Sequence, residues 1–160
     1  MKKAVELLQK IQLTIGTIFL VIFLLTVVFQ VSSRYLGIVA TWTEEVSMYS
    51  FIWAVFMGAA AMVYEKKHFA FTSLSDVLKS KKIKRILSVV ISIIMLTFAI
   101  LMLKYGIDIT KKFWNYTWVS IPEMKKGFSW LCLPICGGTS VIYLIYLIFD
   151  DVQHIKKGDY

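Results

Sequence analysis

A chain of 160 residues that is 58% apolar, with a mean hydropathy of +0.71, belongs in a bilayer and leaves little mass for a soluble catalytic domain. Its formal charge of +8 does not mark a nucleic-acid surface, because the basic residues follow membrane topology. With the N-terminus inside, 12 of the 18 Lys and Arg fall in inner segments, and the positive-inside rule then puts both termini in the cytoplasm.

Residues 1–10 set Val5, Leu7 and Leu8 beside Lys2, Lys3, Glu6 and Lys10, a basic amphipathic start suited to the headgroup layer of membrane lipids. The first apolar run, 11–31, carries Thr14, Gly16, Thr17 and Gln30. Threonine hydroxyls in such a run return hydrogen bonds to their own helix, so no site is expected there. The run ends near Arg34 without the small-residue exit of a cleaved signal, and reads as a retained span. Arg34, Tyr35, Gly37 and Trp42 then supply the residues of a membrane surface. Arg34 either snorkels to lipid phosphates or pairs with Glu44 or Glu45.

The second run, 46–64, has 19 residues without a charge, enough to cross most of a ~30 Å hydrocarbon core. At ~100° per residue, Ser47, Ser50, Ala54, Gly58 and Ala61 fall within about 40° of one meridian, with Tyr49, Ile52, Phe56 and Val63 opposite. Small residues at this spacing form a seam that lets another helix backbone approach closely. Glu44 stands about 80° from the seam's centre, within reach of a neighbour, and Glu45 faces away from it. Past Glu65 and His68, Thr72 or Ser73 caps a short helix whose Phe71, Leu74, Val77 and Leu78 make an apolar face, followed by five basic residues up to Arg85. This predicts a second helix lying on the inner leaflet.

The third run, 86–103, continues as a helix over 104–117, because Lys104, Asp108, Lys111 and Asn115 recur on one face. Ile121 and Pro122 end it. The fourth run, 128–149, contains Pro134, Gly137 and Gly138, which predict a kink. Cys132 and Cys136 share a face of that run as packing thiols, since four-residue spacing makes neither a redox pair nor a metal quartet. The tail from Asp150 onward reads as frayed. The expectation is one four-span, all-α membrane domain over 1–160, without repeat or linker.

The four runs contain no Asp, Glu, Lys, Arg or His, so nothing inside them relays protons or binds an ion through a carboxylate. No nucleophile stands with a base, and no paired-histidine or phosphate-loop motif is present, which argues against catalysis, a metal or a cofactor. A small multidrug exporter is expected to carry an acid in its first span, and this one does not.

Arg34-Tyr35 after the first span, Trp42-Thr-Glu44-Glu45 opening the second, the Gly58-Ala-Ala-Ala stretch, His68, the Ser120-Ile-Pro122 turn, and Pro134 with Gly137 give the chain its likeness to a known family. In order and spacing it resembles the small membrane subunit, the DctQ-like component, of tripartite ATP-independent periplasmic (TRAP) transporters. Lys125 and Lys126 depart from the more aromatic run that the likeness leads one to expect there. The resemblance implies a bacterial inner-membrane subunit that associates with a large multi-span subunit holding the substrate and sodium sites. A periplasmic substrate-binding protein delivers an organic acid to that pair. On this basis Glu44 and the seam of Ser47, Ser50, Ala54, Gly58 and Ala61 are expected to meet the large subunit. Arg34, Trp42, Glu45, Lys111 and Lys112 are expected to help dock the binding protein. Two alternatives stand behind it: a membrane-enzyme accessory subunit using His68 and Glu65, and a small homo-oligomeric exporter.

Overall fold

In lipid, an isolated chain segment satisfies its backbone only by forming a helix, and each of the four apolar runs does so. The computed structural model describes residues 2–65 and 81–157. They form α1 (Lys2–Tyr35), α2 (Trp42–Tyr64), α3 (Lys81–Phe113), the short α4 (Lys126–Trp130) and α5 (Cys132–Lys157). Among the described residues four stretches are long and apolar enough to span: Lys3–Tyr35, Trp42–Tyr64, Ile86–Phe113, and Lys126–Ile155, which joins α4 to α5. The expected surface helix over 72–78 and His68 lie outside the described residues.

The helices pack as two hairpin-like pairs, α1 with α2 and α3 with α5, joined along α2 and α5. The spatial order is therefore α1, α2, α5, α3, with broad apolar faces of α1 and α3 left open, as at Leu25 and Phe98. Toward the end that carries both termini, Val5, Val63, Ala99, Tyr143 and Leu144 form a buried cluster. The basic first ten residues are thus continuous with the first span, and Val5 is part of the core. The opposite end, called the turn end below, carries the α1–α2 connection and residues 114–125.

α1 stops at a left-handed glycine. Gly37 has φ +70°, and the Ile38 and Gly37 amides donate to the carbonyls of Ser33 (2.9 Å) and Arg34 (3.2 Å), which closes the helix end with a paired set of backward bonds. The α3–α5 crossing depends on glycine for another reason. A Cβ on Gly137 would sit 2.7 Å from the Leu103 nitrogen, and one on Gly106 2.9 Å from the Pro134 nitrogen. The two backbones touch there, as small residues allow in membrane bundles.

Three expectations are corrected. α3 ends at Phe113, not Thr117, because the next backbone groups pair elsewhere. The Lys126 amide donates to the Tyr116 carbonyl (2.7 Å) and the Trp118 amide to that of Met124 (2.9 Å), so 116–126 folds back on itself with a bridge between Thr117 and Lys125. The break in the fourth span falls at Leu131, three residues before Pro134. Proline has no N–H for the Trp130 carbonyl, and the Thr110 hydroxyl of α3 donates to that oxygen instead (3.2 Å). Pro134 itself sits in the first turn of α5, where a missing donor costs nothing. Finally, the segment from Asp150 to Lys157 is helical. The Ser88 hydroxyl donates to buried Asp151 Oδ2 (2.6 Å) and ties this part of α5 to α3.

Thr14 and Thr17 bond back to the carbonyls of Lys10 and Leu13, both at 2.9 Å, as expected of helix threonines. Gln12 behaves differently. Its Nε2 donates to Thr139 Oγ1 (2.8 Å) and its Oε1 accepts from the Tyr143 hydroxyl (2.8 Å). Tyr143 is fully buried and Gln12 nearly so. These bonds link α1 to α5 inside the bundle, where each polar group is satisfied by another. At the terminal end Gln9 Nε2 donates to Glu65 Oε1 (2.8 Å).

Candidate partner-binding site

At the turn end, Glu45 on the first turn of α2 receives two backbone amides from a segment 74 and 75 residues away. The Val119 N–H donates to Oε1 (3.0 Å) and the Ser120 N–H to Oε2 (2.7 Å). The Ser120 hydroxyl donates to the Thr41 carbonyl (3.2 Å). Next to this clasp Trp118 is buried, stacks on Tyr49 of α2 (centroids 4.8 Å, 27° between planes) and donates through Nε1 to Ser129 Oγ of α4 (2.9 Å). An aromatic stack with a satisfied indole N–H fixes a loop more firmly than either alone. Residues 114–125 are therefore fastened across α2 and α4 as a rigid cap.

The cap and the α1–α2 connection together present a mixed apolar and charged surface. Tyr35 is 88% exposed, Val39 87% and Val119 82%, an unusual density of bare large side chains. Arg34 and Glu44 line an open hollow of about 410 Å3 with Gln30, Ser33 and residues 37–41. Both are exposed, and Glu45 gives its oxygens to the Val119 and Ser120 amides rather than to Arg34. Trp42 lies against Phe29 (5.6 Å) with 41% of its surface exposed. Lys111 and Lys112 are exposed on the last turn of α3, with the Lys112 ammonium 6.0 Å from the centre of the Phe113 ring. Of the five residues expected to dock a binding protein, four are thus solvent-facing and Glu45 anchors the cap from beneath.

The seam on α2 divides. Ser47, Ser50 and Ala61 are buried within the chain. Ala54 and Gly58 instead line an open groove of about 260 Å3 between α1 and α2, with Gly16, Leu13, Leu20, Phe51 and Val55. Gly16 lets the helices close: a Cβ on it would lie 3.2 Å from Met57 Cβ, whereas one on Gly58 would meet nothing within 4 Å. The groove is shallow, small-walled and flanked by exposed Phe51 and Val55, a shape that admits the ridge of another helix.

Among the described residues no group of three His, Cys, Asp or Glu stands together as a metal site would require, and Cys132 and Cys136 are buried free thiols. Sequence inspection passed over Trp118, Ser129, Gln12 and Tyr143. A lone amide in an apolar run and a tryptophan just before a Ser-Ile-Pro turn were the available signals.

No curated protein matches the chain. Residues 14–154, which take in most of all four spans, match the family described as Tripartite ATP-independent periplasmic transporters, DctQ component. The chain belongs to the DctQ family, the small membrane component of TRAP transporters.

Proposed function

We propose that this chain is the scaffold subunit of a sodium-driven TRAP transporter in a bacterial inner membrane, with both termini cytoplasmic. It braces a large multi-span subunit while that subunit moves, and its turn end helps to seat the periplasmic binding protein that delivers the substrate. The substrate is an organic acid such as sialic acid, a C4-dicarboxylate or a related sugar or keto acid. The family match across the four spans is the observation that carries the proposal. Two features support it: the apolar runs hold no ionisable side chain, as suits a chain whose partner carries the transport site, and the Ala54–Gly58 groove is open at the surface of the bundle. Within the proposed large-subunit contact, Ala54, Gly58 and exposed Glu44 are the direct positions, and buried Ser47, Ser50 and Ala61 hold α2 in place behind them. Arg34, Trp42, Lys111 and Lys112 form the docking face, carried on the cap that Glu45 fixes.

Deleting this chain from cells that keep the large subunit and the binding protein is expected to abolish uptake of the organic acid, and restoring it to return uptake. Undiminished uptake without the chain would overturn the proposal.

A further inference from the structure

Beside the cap, where α3 meets α4 and α5, lies a groove of about 610 Å3 that shares Lys111 with the proposed docking face. It has the volume of a small-molecule site, and it is built, not incidental. Trp114 packs so tightly on α4 that a Cβ on Gly127 would come within 2.9 Å of the Trp114 Cα, and the break before Pro134 opens the space below.

The lining is sorted along the helix axis. Ile107, Thr110 and Lys111 follow one face of the end of α3, Trp114 and Asn115 come just past that end, and Leu131, Pro134 and Ile135 come from the facing part of the fourth span. From Ile107 to Phe113 the helix rises about 9 Å, with Asn115 beyond it. One end is therefore wholly apolar, made by Ile107, Pro134 and Ile135, and the other carries the Lys111 ammonium and the Asn115 amide. The Thr110 hydroxyl is already engaged with the carbonyls of Gly106 (2.8 Å) and Trp130 (3.2 Å). Among the described residues no carboxylate lies within ion-pair distance of Lys111. The groove's level is that of Leu131, close to the start of the apolar run of the fourth span. Its floor thus sits in hydrocarbon and its rim in the headgroup layer. A cation at the rim, an amide donor beside it and an aliphatic floor below complement an amphiphile with an anionic head.

We infer that this groove binds an anionic phospholipid, with the phosphate held by Lys111 and Asn115 and an acyl chain lying on Ile107, Pro134 and Ile135. Phospholipid is the most abundant such amphiphile that a surrounding membrane presents at this depth. The basic excess of the neighbourhood, Lys104, Lys111, Lys112, Lys125 and Lys126 against Asp108 and Glu123, favours the anionic class.

The test uses the full purified chain in neutral detergent, so it is independent of any transport partner. Dioleoyl-phosphatidylglycerol and dioleoyl-phosphatidylcholine are titrated in separately, and bound lipid is counted by native mass spectrometry. Wild type is expected to retain phosphatidylglycerol preferentially. Lys111→Gln weakens that retention about fivefold, the effect of one lysine near an anionic lipid surface, and Lys111→Arg keeps it. Ile135→Trp, which fills the aliphatic floor at a half-exposed position, lowers retention while the headgroup contacts remain. Equal retention of the two lipids, or no change in Lys111→Gln, would overturn the inference. So would displacement of the lipid by an equal concentration of glycerol 3-phosphate, because the groove would then be reading a free phosphate anion.

Discussion

Gly137→Val is expected to be the most damaging single substitution in the described bundle. The added Cβ alone would lie 2.7 Å from the Leu103 nitrogen and 2.8 Å from its Cα, and backbone cannot rotate aside as a side chain would. Relief requires α3 and α5 to separate along their whole crossing, which would also strain the Gly106 contact with Pro134. Overpacking commonly costs 1–3 kcal/mol; with backbone on both sides a loss of at least about 3 kcal/mol is expected. Thermal unfolding in mild detergent measures it, with Gly58→Ala as the control. At Gly58 a Cβ meets nothing within 4 Å, so that variant should unfold within about 0.5 kcal/mol of wild type. A Gly137→Val protein as stable as the control would show that the two helices do not touch as described.

Trp118→Ala is the second. It removes a buried ring, its stack on Tyr49 and its bond to Ser129, and aromatic truncations of this kind cost about 3–5 kcal/mol. The loss is local, because the rest of the cap hangs on the Glu45 clasp and the 116–126 bridge. Proteolysis or amide exchange confined to 114–125 should therefore rise steeply while the transmembrane helices keep their protection. Glu45→Gln loosens the same segment less, since its two hydrogen bonds are partly solvent-exposed and worth about 1 kcal/mol together. If the cap stays protected in Trp118→Ala, Trp118 is not its anchor. On the proposed docking face, both variants should also weaken uptake at low binding-protein concentration.

The spans were legible because a bilayer demands long apolar runs: each of the first three lies inside one observed helix, and the fourth is divided between α4 and α5 at Leu131. Their ends were not. Hydropathy senses hydrocarbon, whereas α1 continues through its basic start because Val5 joins the buried cluster that holds Val63 and Tyr143, and α5 continues past Asp150 because Asp151 accepts from Ser88. The helical periodicity of 104–115 gave no reason for α3 to stop at Phe113; the reason lies in the carbonyls of Tyr116 and Met124 finding partners in the hairpin. The seam on α2 was visible in the spacing of its small residues, but spacing alone does not say which part α1 and α5 already cover. Glu45 illustrates the limit for the candidate site: its partners are backbone amides 74 and 75 residues along the chain, and no local pattern announces them.

The most direct test of the scaffold assignment is co-purification of the tagged chain from its native cells in mild detergent, comparing wild type with Gly58→Trp. Wild type is expected to bring down one large multi-span membrane protein in constant ratio. Gly58→Trp, whose indole would fill the open groove between α1 and α2, is expected to fold and insert normally but to lose that partner at least about tenfold. Recovery of wild type alone as a stable homo-oligomer, with no large partner retained, would contradict the account.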